Sequence, residues 1–198
     1  MIFLKTFNNS AALVQDDQGQ EQVVLGKGVG FGLKKGDKID ESKIERRFTA
    51  TSHQDEVNQV KEINASTIDL TNEVIQMVEP LLNVKFNDFQ YLALADHIDF
   101  ALSRIEDHID MSAANTRWEV KNLFPKEYKI SEKVIALINK EMKVNLPPSE
   151  SIFMTYHFVN AASDNDQVQE TVEITELISG IIEYYSVSIP NDFRYRVV

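Results

Sequence analysis

The apolar residues of this chain change their period once, and that change divides it. Over the first fifty or so residues they come in short β-favouring runs, and from Ser66 onward they recur at helical spacing. The first part reads as strands over 2–7, 11–14, 22–25 and 44–49. The breaks between them are turn signals: Asn8-Asn9-Ser10, Asp16-Asp17-Gln18-Gly19 and Lys34-Lys35-Gly36-Asp37. A small four-stranded antiparallel meander follows. A sheet of about fifty residues is marginal alone, so it is expected to dimerise or to pack on something.

Residues 50–65 are polar and read as a linker or linking helix. A helix is then expected over 68–82, carrying Ile68, Val74, Ile75, Val78, Leu81 and Leu82, with Pro80 as its kink or terminus. An amphipathic helix over 88–107 places Leu94, Ile98, Leu102 and Ile105 on one face. Further helices are expected over 115–124 and 131–142. Pro147-Pro148-Ser149 marks another start, with Ser149 as cap and an end near Ala162. Residues 163–169 are a polar break, and a last helix begins over 174–185. The second part is therefore an all-α bundle. The chain reads as an α+β multidomain protein: a sheet domain over 1–55, a linker over 56–65 and a helical domain from 66 onward.

Within the sheet domain, Leu25-Gly26-Lys27-Gly28-Val29-Gly30-Phe31-Gly32 places alternate glycines around one cation and one aromatic. A glycine loop that cradles phosphate needs a helix N-terminus behind it, and no helix signal follows here. A glycine-rich strand edge with an exposed Phe suits an unstacked nucleic-acid base instead. The bland alternative is a bulge or a close backbone approach within the sheet.

The net charge of −11 argues at first against nucleic acid. Its distribution softens that objection. Residues 1–55 carry eight basic and eight acidic side chains, so the whole excess lies in residues 56–198. A neutral module can bind RNA if shape and stacking do the reading. With no cysteine, the chain has no disulfide and no thiolate metal site, which fits a reducing cytoplasm. No signal peptide and no bilayer-length apolar stretch is read, so a soluble cytoplasmic protein without membrane insertion is expected.

Two histidines stand out in the helical part. His97, Ala101, Arg104 and His108 form one stripe, off the apolar face. His157 has Asn160 three residues on, on the same face. Both can be ordinary surface or partly buried histidines. One metal cannot take both His97 and His108, which a helix separates by ~16 Å. A metal held by His97, His157 and Asp96 or Asp99 is geometrically open. No nucleophile elbow or catalytic cysteine is present. A histidine flanked by carboxylates with Arg104 nearby suits reversible phosphorylation: a carboxylate orients the ring and the guanidinium pairs with phosphoryl oxygens.

Taken together, the motifs resemble a known family. Lys5-x-x-Asn8-Asn9, Val23-Val24-Leu25-Gly26-Lys27-Gly28-Val29-Gly30-Phe31, Lys34-Lys35-Gly36-Asp37 and Lys43-Ile44-Glu45-x-x-Phe48 resemble the co-antiterminator RNA-binding domain of the BglG/LicT/SacY family. Asp96-His97-Ile98-x-Phe100-Ala101-x-x-Arg104, Leu123-Phe124-Pro125-x-Glu127-Tyr128 and His157-x-Val159-Asn160-Ala161 resemble its first phosphotransferase-system (PTS) regulation domain. The resemblance covers residues 1–170. It implies a non-enzymatic, cofactor-free transcriptional antiterminator that dimerises through the sheet domain. Such a protein binds a hairpin in nascent mRNA and prevents formation of the terminator of a sugar-utilisation operon.

By position, the resemblance implies RNA contacts from Lys5, Asn9, Ser10, Gly26, Lys27 and Phe31. Phe31 would stack on a base, and Gly26 would let the backbone approach the RNA. It makes His97 and His157 phosphorylation targets of a sugar-specific enzyme II, with Asp96, Arg104 and Asn160 around them. Family members commonly carry asparagine where this chain has Ser10. Residues 171–198 resemble only the opening of a second regulation domain, so the acceptor for phosphorylation by the carrier HPr is not expected in this chain. Two other readings remain open. One is a phosphorylation-responsive protein-interaction module that has lost RNA binding, and the other is a divalent-metal hydrolase using His97, His157 and nearby carboxylates.

Overall fold

The computed structural model describes residues 1–49, 60, 62–106, 117–162 and 177. Four strands form one antiparallel sheet in the order of the chain: β1 (Ile2–Asn8), β2 (Ala11–Gln15), β3 (Glu21–Leu25) and β4 (Arg46–Thr49). The expected meander is present, with β4 starting two residues later than its apolar run. The 3₁₀ turn Glu41–Lys43 occupies the space before it, capped by Asp40, whose carboxylate accepts from the Ser42 N–H. Register shifts in β1 between Phe3 and Lys5 and between Thr6 and Asn8 mark bulges.

Among the described residues five helices are delimited after the sheet: α1 (Ala65–Leu82), α2 (Asp88–Glu106), α3 (Arg117–Leu123), α4 (Pro125–Met142) and α5 (Glu150–Ala162). Pro80 does not break α1: the helix runs two residues past it to Leu82 and closes on left-handed Asn83. α4 begins six residues before the expected 131. Pro125 occupies its first turn, where a missing N–H costs nothing, and Ser131 satisfies its hydroxyl on the Tyr128 carbonyl at 2.7 Å. The expected helix over 174–185, the segment opening at 171 and His108 lie outside the described residues, apart from Leu177.

The sheet buries both faces. On one side Phe3, Ala12, Val14 and Val24 pack with Val29 and Ile39 of the long β3–β4 connection. On the other, Ala11, Val23, Leu25 and Phe48 join the main core of the helices, together with Ile98, Val134 and Phe158. Val60 and Ile63, in the stretch expected to be a polar linker, are buried in that same core. Asn8 Nδ2 donates to the Ile63 carbonyl at 3.1 Å, which ties the first turn of the sheet to the linker. The expectation that a small sheet must pack on something is met by its own helical domain.

Candidate functional sites: a glycine turn and a histidine pair

The glycine run forms turns rather than a strand edge. β3 ends at Leu25, and the chain is then pinned to the β1–β2 turn. The Gly26 N–H donates to the Ser10 carbonyl at 3.0 Å, and the Gly30 N–H to the Asn9 carbonyl at 3.3 Å. Asn8 Oδ1 accepts from the Ser10 N–H at 2.9 Å and holds that turn. Two further turn bonds, from Val29 to Gly26 and from Phe31 to Gly28, coil the run so that Phe31 projects with 72% of its surface exposed.

These bonds bring Asn9, Ser10, Gly26, Lys27 and Phe31 into one neighbourhood. Asn9, Lys27 and Phe31 are exposed there. Ser10 is 2% exposed, with both backbone groups engaged in the turn, so its hydroxyl is not presented at the surface. Gly26 is buried, and the structure gives its missing side chain another purpose. A Cβ there would lie 1.8 Å from the Lys43 carbonyl oxygen, so the close approach is to the chain's own β4 connection. Lys5 is exposed on β1 opposite Leu13, about 7 Å along the sheet from the Ala11–Leu25 pair.

The two histidines meet between α2 and α5, with ring centroids 5.1 Å apart. The stripe of α2 that carries His97 is not on a solvated face: Ala101 and Arg104 are buried, and His97 keeps 15% of its side chain exposed. His157 is buried. Burial first, and the neighbouring His97 second, push its imidazole down to about 3. His157 is therefore a neutral ring at pH 7.

The carboxylate that meets His97 is Glu150, at the start of α5. Its Oε2 lies 3.1 Å from His97 Nε2, and its Oε1 accepts from the Arg104 guanidinium at 2.7 Å. Glu150 and Arg104 are 4% and 8% exposed at their side chains. Arg104 also lies 4.7 Å from the Phe100 ring centroid. Asp96, the acid expected beside the histidine, is exposed, and Asn160 is buried on α5 with its carbonyl accepting from Gln90. Glu150 was absent from the sequence reading. Its signal was available, since Glu150 and His157 are seven residues, two helical turns, apart on one face.

Asp99 serves a different element. It accepts from the Asn64 N–H and Nδ2 and from the Thr67 hydroxyl, the last at 2.6 Å, and so caps the start of α1 across helices. Among the described residues no group of three or more His, Asp or Glu side chains is placed to hold a metal ion. The metal-hydrolase reading has no cluster there to rest on.

Comparison with known proteins agrees with both halves. Residues 1–56 match the CAT RNA binding domain, and residues 72–161 match the PRD domain. The transcription antiterminator LicT of Bacillus subtilis is 32% identical over 186 residues, covering 92% of this chain and 66% of LicT. The beta-glucoside operon antiterminator of Dickeya chrysanthemi is 30% identical over 197 residues, covering 98% of this chain and 69% of that protein. This chain thus spans about two thirds of the length of these relatives. The crystal structure of GlcT CAT-PRDI superposes with a TM-score of 0.69 at 29% identity, covering 81% of this chain and 98% of that one. With an RNA-binding sheet domain and a PRD domain in that order, the chain belongs to the BglG/LicT/SacY family of transcription antiterminators.

Proposed function

We propose that this chain binds a hairpin in the leader of a nascent sugar-utilisation mRNA as a homodimer, and so prevents the terminator from forming. The observation that carries the reading is Phe31, an aromatic side chain 72% exposed on a turn fixed by four backbone hydrogen bonds. A rigid, solvent-facing ring beside Lys27 and Asn9 is a stacking platform for an unpaired base. The PRD domain, which we assign to 66–170, regulates this activity through phosphorylation of His97 or His157 by PTS proteins, a sugar-specific enzyme II foremost. The chain accepts phosphoryl groups and does not turn over a substrate of its own.

The burial of Ser10 supports this reading over an interaction module without RNA binding. The residue that departs from the family pattern sits inside the turn rather than on the exposed face. A filter-binding titration of the leader hairpin against a scrambled hairpin tests the proposal, and equal affinity for the two would sink it. Lys5 and Lys27 from each of two copies give about four phosphate contacts. The slope of log affinity against log salt should then be about −3 to −4. A phosphoryl group adds about two negative charges beside the buried Glu150. Phosphorylation is therefore expected to repack α2 against α5 and to change the dimerisation constant measured by sedimentation.

A further inference from the structure

Glu150 does more than neutralise Arg104. Its two oxygens face different partners, Arg104 through Oε1 and His97 Nε2 through Oε2, in a site where its side chain is 4% exposed. A carboxylate held by a guanidinium is an acceptor on both oxygens. The hydrogen in its bond to His97 therefore sits on Nε2. A neutral imidazole carries one N–H, so Nδ1 is left with the lone pair. Among the described residues His97 has no hydrogen bond other than that to Glu150, and Nδ1 is not among the buried polar atoms that lack a partner.

We infer that Glu150 selects the nitrogen of His97 that receives the phosphoryl group, and that this nitrogen is Nδ1. The inference rests on the phosphohistidine reading above. In the transfer, the Nδ1 lone pair attacks phosphorus of an incoming phosphoramidate-type donor. The Nδ1–P bond forms as the donor P–N bond breaks, and the donor nitrogen leaves with that electron pair. The Nε2 proton stays on the ring, and the positive charge the ring acquires is balanced by Glu150 across the 3.1 Å contact. Glu150 is a positioning residue: it fixes tautomer and ring orientation and does not touch phosphorus. His157 is bonded to neither Glu150 nor Arg104 among the described residues, so this control applies to His97 alone.

Long-range ¹H–¹⁵N NMR of the full chain tests the assignment directly. The His97 pattern should show Nε2 protonated and Nδ1 unprotonated. Treatment with phosphoramidate as donor should place phosphorus on Nδ1 of His97, read by ³¹P–¹⁵N correlation. In Glu150→Gln, Arg104 keeps the amide oxygen and the NH₂ turns to the ring. That variant should invert the tautomer and lower Nδ1 phosphorylation roughly tenfold, the population ratio one hydrogen bond sets. A merely structural role for Glu150 would leave the tautomer unmoved in a variant that folds. If Glu150→Gln does not fold, the wild-type tautomer and the phosphorylated nitrogen decide alone. A wild-type ring protonated on Nδ1, or phosphorus on Nε2, overturns the inference while leaving the phosphohistidine reading intact. Phosphorus on His157 alone overturns the inference and leaves the phosphohistidine reading intact, whereas phosphorus on neither His97 nor His157 would remove that reading and this inference with it.

Discussion

Phe31 and His157 sit at opposite extremes of exposure, and each predicts a different experiment. Phe31→Ala removes a ring that is 72% exposed, so folding stability should change by less than about 0.5 kcal/mol. Hairpin binding should weaken by ~1–3 kcal/mol per stacked base, measured by titration. His157 predicts a pH effect. Its ring is protonated near pH 3 in the folded chain and near 6.5 when unfolded. Its stabilising contribution is thus complete above pH 6.5 and erodes as pH falls from 6.5 toward 3, by at most about 1.4 kcal/mol per pH unit. Urea denaturation at pH 7.5 and pH 5 should show a smaller difference for His157→Gln than for the parent chain. Gly26 was legible as a glycine that the backbone needed, but not which neighbour needed it. Gly26→Ala drives a Cβ against the Lys43 carbonyl and should cost on the order of 2 kcal/mol in thermal or chemical denaturation.

Arg46 is the residue through which the elements join. It leaves β4, donates to Asp88 in the first turn of α2 at 3.2 Å and to the Phe86 carbonyl, and lies 4.7 Å from the ring centroid of Tyr91. Tyr91 in turn donates to Asn72 of α1 at 2.7 Å, and Asn72 donates to Glu45. Burial pushes the Tyr91 phenol up, so it stays a donor throughout the physiological range. Arg46→Ala should cost about 1–3 kcal/mol and speed hydrogen exchange in β4 ahead of the rest of the sheet. Asp88, Phe86 and Tyr91 all lie some forty residues beyond Arg46, so no local pattern in the sequence signals the pairing. Helix existence was legible wherever apolar spacing persisted, as along α1 and α2. The start of α4 was not, because Pro125 reads as a breaker until its place in the first turn is known. The Arg104–Glu150 pair joins α2 to α5 in the same way. Glu150→Ala would leave a buried guanidinium unpaired and should cost about 3 kcal/mol or more, measured by denaturation.

At the scale of the whole molecule, the sheet is the middle layer between its own β3–β4 connection and the helical core. A chain shortened to residues 1–56 would expose Ala11, Val23, Leu25 and Phe48. It should either lose stability or associate through that face, and sedimentation of the fragment would separate these outcomes from a stable monomer. The amino-acid sequence by itself determined the meander, the helical bundle behind it and the residue types at both sites. Those follow from local period, turn chemistry and motif spacing, which a chain carries whatever its neighbours do. Only the tertiary structure decided that the sheet spends its second face on the helices, that Ser10 and Gly26 turn inward, and that Glu150 rather than Asp96 holds His97. Each depends on contacts tens of residues apart, where burial and the pairing of a buried charge outweigh any local preference.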